Sequence, residues 1–158
     1  MTESGGRRIK RSLHIDLSTV KFLDKDSIAR FKKFSLIEAY LIEKEKEIFD
    51  WNEAFKVDPV APFNGRQLTN LGTFRAYIIQ YLRSRNDIHQ EKMTFLVRQL
   101  APGPEGAPIE IYVFTKTTVW VEYEAIQADI FDHLLAAVHQ FDLRLFQKPT
   151  GGDFRRLK

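Results

Sequence analysis

Ile9, Leu13, Ile15 and Leu17 share one parity while mostly polar residues hold the other, and this alternation predicts a half-buried strand over Arg8–Leu17. Gly5-Gly6 ahead of it predicts a hinge or turn, where the chain can change direction. Asp24 stands as an N-cap before a first helix, whose buried side carries Ile28, Phe31 and Phe34. A second helix is expected at about Ser35–Phe49, with Ile37, Leu41 and Ile48 on its apolar stripe. The alternating acids and lysines of Glu43–Glu47 form its solvated face. Pro59, Pro62 and Gly65 then break the pattern, and Thr69 or Asn70 caps a third helix with Phe74, Ile78 and Leu82 four apart. Tyr77 and Tyr81 make a second row on that helix, which reads as core packing.

Two strand-like runs follow, Met93–Leu100 and Ile109–Lys116, joined by a segment holding three Pro and two Gly, which predicts a hairpin with a long loop. A long helix at about Val119–Gln140 carries Ile126, Ile130, Leu134 and Val138 at steps of four. Leu143–Phe146 reads as a short last strand before Pro149 and Gly151-Gly152. The order strand, helices, strand, strand, helix, strand predicts an α+β fold. It is the ferredoxin-like split βαβ plan (βαββαβ) with a helical insertion after the first helix, at about 35–70.

Both faces of the expected sheet carry apolar groups. Ile109, Ile111 and Val113 oppose Tyr112 and Phe114; Met93, Phe95 and Val97 oppose Leu96 and Leu100; Leu143 and Leu145 oppose Phe146. A sheet with one face in water alternates more cleanly. The second face is therefore expected to meet the inserted helices, another subunit or a ligand, and Tyr112, Phe114 and Phe146 are candidate packing or subunit contacts.

A length of 158 residues fits one domain, and 44% hydrophobic with 28% charged residues argues against disorder. The absence of Cys excludes disulfides, thiolate zinc sites and thiol nucleophiles. No apolar run approaches the roughly 18 residues of a membrane span, and the amino terminus lacks a signal-peptide stretch; a soluble, cytoplasmic segment is the expectation. The net charge of +3 is uneven: residues 1–16 carry +2, residues 148–158 carry +3, and the body between them carries −2. Basic ends on a near-neutral body suit an anionic membrane surface or a subunit contact as well as nucleic acid.

Little catalytic chemistry stands out. His14, His89, His133 and His139 are the natural switch or ligand candidates, and Asp129 with His133 lacks a third ligand at a metal-motif spacing. No nucleophile elbow, phosphate-binding glycine loop or dinucleotide fingerprint is present. Neither an enzyme, a metal nor a cofactor is expected. The binding alternative is an RNA-recognition motif stacking bases on Tyr112 and Phe114, but its glycine–aromatic signature is absent and Glu110 shares that face.

Five stretches carry a resemblance: Gly5–Ser12 (GGRRIKRS), Leu68–Tyr77 (LTNLGTFRAY), Leu96–Leu100 (LVRQL), Ile109–Thr115 (IEIYVFT) and Ile126–Leu135 (IQADIFDHLL). In this order they resemble the cytoplasmic region of the small-conductance mechanosensitive ion-channel family, in its miniconductance branch. The resemblance implies a fragment of a membrane protein whose amino-terminal helices and most of whose β domain lie outside this sequence. It implies a junction from that β domain over 1–8, a cytoplasmic α/β domain over 9–147 and a basic tail over 148–158. The expected partners are other subunits of a homoheptamer, permeating ions, and the membrane through the amino-terminal helices, with no nucleic acid. Channels of this family open under membrane tension and relieve osmotic pressure after hypoosmotic shock, with this region forming a vestibule. Gly5, Gly6, Arg7, Arg8, Lys10 and Arg11 are then the candidate junction to the membrane part.

Overall fold

The computed structural model describes Thr2, Glu3 and residues 5–152. Its elements are β1 (Thr2–Glu3), β2 (Gly6–Ile15), α1 (Lys25–Phe31), α2 (Glu38–Ala54), α3 (Asn70–Arg83), β3 (Leu96–Gln99), β4 (Ala107–Thr115) and α4 (Trp120–Ala137). The fold is mixed α/β. Three strands of four or more residues form an antiparallel sheet, the two-residue β1 extends it, and the order is β1-β2-β4-β3.

The helices begin where the caps predict. The Asp24 carboxylate accepts from the Ser27 N–H at 2.8 Å, and Thr69 Oγ1 accepts from the Gly72 N–H at 3.0 Å. Asn70 has a longer-range task. Its Oδ1 accepts from the Lys21 N–H and its Nδ2 donates to the Thr19 carbonyl, both at 2.9 Å, so this fully buried amide ties α3 to the segment leaving β2.

One hydrophobic cluster holds the domain together. Ile9, Leu13 and Ile15 of β2 meet Ile109, Ile111 and Val113 of β4 and Val97 of β3, and Phe31, Ile37, Leu41, Phe74, Ile78, Leu82, Ile130 and Leu134 close over them. The inserted helix α2 therefore contributes to this same cluster through Leu41. Tyr112, Phe114 and Phe146 lie outside it, so the second sheet face is not what α2 covers.

Three expectations need correction. The helix expected to end at Phe49 runs on to Ala54, because no breaker intervenes before Lys56, whose φ of 54° stops it. The strand expected from Met93 begins only at Leu96, and Met93 is instead drawn against Gly6. Leu143–Phe146 does not form a strand. Leu145 makes a single antiparallel bridge to Ile15, flanked by the Asp16 N–H donating to the Arg144 carbonyl and the Phe146 N–H donating to the His14 carbonyl, both at 2.8 Å. Asp142 enters this segment at a left-handed φ of 58° and Pro149 follows within a few residues, so little extended chain is left for pairing.

The β3–β4 connection is tighter than a long loop. Gly103 and Gly106 exchange backbone hydrogen bonds at 3.0 and 3.1 Å around Pro104-Glu105. Gly106 is required twice over: its φ is 87°, and a Cβ there would fall 2.3 Å from the Ile15 carbonyl oxygen.

Candidate functional site

The junction residues sit on the amino-terminal half of β2, and the pleat separates them. Successive side chains of a strand point to opposite faces. Arg7 and Arg11 therefore share the helix-covered face with Ile9, where the Arg7 guanidinium lies 5.0 Å from the centre of the Tyr123 ring and that of Arg11 lies 4.4 Å from Phe131. Arg8 and Lys10 take the other face, with Arg8 5.7 Å from the Tyr112 ring. A run that reads in sequence as one basic cluster is two pairs on two sides of the sheet. None of the four makes an ion pair with a carboxylate among the described residues.

Gly5-Gly6 is a clamped turn and not a free hinge. Glu3 pairs with Gly6 and Thr2 with Arg7, so β1 folds back antiparallel on β2. Gly5 takes a φ of 87° in open space. Gly6 is buried, and a Cβ there would lie 2.4 Å from the Thr115 carbonyl oxygen, 3.0 Å from Met93 Sδ and 3.1 Å from His89 Cδ2. His89 Nε2 donates to the Gly5 carbonyl at 2.6 Å, which fixes the Nε2–H tautomer because a carbonyl only accepts. The His89 N–H in turn donates to the Phe114 carbonyl at 2.8 Å. Sequence reading offered His89 only as one of four switch or ligand candidates; the 84-residue separation from Gly5 leaves no local signal of this contact.

The second sheet face is built by β4 with its neighbours. Across it run the rows Lys10–Tyr112–Leu96 and Ser12–Glu110–Arg98. Tyr112 and Phe114 meet edge-to-face with centroids 5.9 Å apart, beside a shallow pocket lined by Glu91, Lys92, Met93 and Thr94. Phe114 is only 4% exposed and has no face free for a base, while Tyr112 is half-buried under Arg8. Glu110, also buried, is held by the Arg98 guanidinium at 2.9 Å. Phe146 lies apart from this pair, half-buried near Gly106 at the other end of β2.

A further polar group bridges α3 and α4. The His133 and Tyr81 rings stack at 4.2 Å and 2°, and His133 Nε2 shares a 2.7 Å hydrogen bond with the Tyr77 hydroxyl. Burial pushes the Tyr77 hydroxyl above its ordinary pKa, with Tyr81 adding to the effect. Arg85 binds Asp87, Asp129 and the Tyr81 hydroxyl, and the Asp87 carboxylate above all holds its guanidinium more firmly charged. Asp129 and His133 thus have separate partners. Among the described residues no group of three or more His, Asp or Glu could hold a metal ion, and no helix is long and apolar enough to cross a membrane.

Large apolar side chains remain on the surface. Phe49 and Trp51 of α2, Phe55 just past its end, Val60 and Phe63 beyond, and Val119, Trp120 and Val121 at the start of α4 are all exposed, and Trp51 stacks on Phe55 at 4.3 Å. No protein-family model matches the chain.

Proposed function

We propose that this chain is the cytoplasmic α/β domain of a mechanosensitive ion channel, acting as a vestibule and subunit-assembly module. The observation that carries this reading is the set of five stretches resembling the miniconductance branch, in order over nearly the whole sequence. The finer fold reading belongs to the same proposal: a ferredoxin-like split βαβ domain whose final strand is reduced to the Leu145 bridge and whose insertion is α2. The exposed aromatics of α2 and α4 and the sheet face outside the core support it, because apolar surface of this kind is covered when subunits meet.

In this reading the domain carries no catalysis and needs no cofactor. It assembles with like subunits, as a homoheptamer, below a cell membrane that other parts of the protein cross. Charged side chains at the vestibule openings bias local ion concentration, since narrow passages between low-dielectric walls focus the field. Gly5–Arg11 couples the domain to the membrane part, and the clamp of Gly6 under Met93 and His89 makes that coupling stiff.

The test is electrophysiological. The expected result is a reading frame with several apolar helices ahead of this chain, and patches bearing the whole product that pass current under suction. A frame without such helices, or patches silent up to lytic tension, overturns the proposal.

A further inference from the structure

Among the described residues, the edge of β2 facing away from β4 is only partly used. Three bonds fix which residues point there. The Arg8 carbonyl accepts from the Tyr123 hydroxyl at 2.7 Å, the His14 carbonyl accepts from the Phe146 N–H, and the Asp16 N–H donates to the Arg144 carbonyl. Even-numbered residues thus turn their N–H and C=O groups outward, and odd-numbered ones bond to β4. β1 covers this edge at Gly6–Arg7 and the Leu145 bridge covers it at Ile15. Between them, Lys10 and Ser12 present both backbone groups outward with no hydrogen-bond partner among the described residues.

We infer that this open stretch of β2, centred on Lys10 and Ser12, is a strand-acceptor slot for an extended acidic peptide segment of a partner protein. The five residues from Ile9 to Leu13, at about 3.3 Å each, span roughly 16 Å, long enough for a short strand and bounded at both ends by existing pairing. Unpaired edge groups are a template for strand addition, in which main-chain bonds supply affinity and alternate side chains supply selectivity. The selectivity here is electrostatic. Arg8 and Lys10 stand beside the slot on one face and Arg11 on the other, none of them paired with a carboxylate among the described residues. The same charges set two copies of this edge against each other, because two-fold antiparallel pairing would crowd Arg8, Lys10 and Arg11 of both copies along one short ladder. An incoming strand with carboxylates on both faces meets all three cations. The slot belongs to the domain itself and does not depend on the channel reading.

A heptapeptide of sequence Val-Glu-Glu-Val-Glu-Glu-Val with blocked ends, which as a strand carries carboxylates on both faces, tests this on the 158-residue chain by amide exchange and chemical-shift mapping. The expected result is slowed exchange at the Lys10 and Ser12 amides, lost when the peptide is N-methylated at alternate residues and lost with a Val/Lys peptide. Lys10→Pro removes one outward N–H without touching the β4 ladder and abolishes the protection, whereas Lys10→Ala weakens it. The N-methylated peptide gives the same information should Lys10→Pro fail to fold. Unchanged exchange at Lys10 and Ser12, or protection that survives N-methylation or persists with the Lys peptide, overturns the inference.

Discussion

His89 Nε2 donates to the carbonyl oxygen of Gly5 across 2.6 Å, pinning the turn that opens the first long strand to the loop ahead of β3. A single neutral hydrogen bond of this kind contributes about 0.5–1.5 kcal/mol net. His89→Ala is therefore expected to lower stability by about that amount. It also speeds amide exchange at the Gly6 end of β2 more than at Ile111 in the sheet centre. Uniform acceleration across the sheet would show that the contact does not act locally.

The two neighbouring glycines are expected to respond differently. Gly6→Ala drives a methyl group into the Thr115 carbonyl and Met93, an overpacking that costs about 1–3 kcal/mol, and it shifts the resonances of Met93 and Thr115. Gly5→Ala has open space but a positive φ, so it costs about 1–2 kcal/mol and leaves those resonances in place. Urea denaturation and side-chain chemical shifts separate the two.

Asp142 gives the acid limb of stability. The Arg30 guanidinium, with Lys21 beside it, holds its carboxyl below the usual carboxylate range, and Arg144 does the same for Asp16. Carboxyls lowered in the folded state contribute stability that is present above the unfolded value and lost as pH falls through the folded one. The expected loss lies below about pH 4. Asp142→Asn keeps a residue that tolerates the left-handed φ while removing the charge, so it lowers stability at neutral pH and flattens this acid dependence. Urea midpoints from pH 2 to 7 measure both effects; an unchanged slope would falsify the assignment.

Glu110 and Arg98 form a lopsided pair, the carboxylate buried and the guanidinium about half exposed. Arg98→Ala leaves a buried acceptor without its cation and is expected to cost about 1–3 kcal/mol. Glu110→Gln removes the charge that needs the cation, so Arg98→Ala costs less in that background. A double-mutant cycle in urea reads the coupling.

Tyr77→Phe loses the bond to His133 at the α3–α4 seam, at about 0.5–1.5 kcal/mol, and leaves the His133–Tyr81 stack. His133→Ala loses both. Tyr77→Phe adds nothing further in the His133→Ala background, as thermal melts of the four chains will show.

What was legible in advance was local. Thr69 and Asp24 announce their helices because a cap acts within three residues of itself, and Ile9, Leu13 and Ile15 announce the buried face of β2 because a strand repeats every two. The second sheet face is mixed in character. Its residues do lie outside the main core, yet Phe114 is sealed by its own surroundings, and the sheet rows also hold Lys10, Arg98 and Glu110. The last strand was misjudged because Leu143–Phe146 alternates well, while its pairing depends on how Asp142 and Pro149 constrain the chain on either side.

By itself the amino-acid order determined the main helices and the long strands, the caps Asp24 and Thr69, and which aliphatic side chains of β2 and β4 face inward, since each rests on contacts a few residues apart. Tertiary structure alone decided that His89 meets Gly5, that Asn70 reaches Thr19 and Lys21, and that the middle of β2 is left without a neighbour on one edge among the described residues. Those outcomes depend on where distant segments come to lie once the shared core has closed, and periodicity carries no record of such distances.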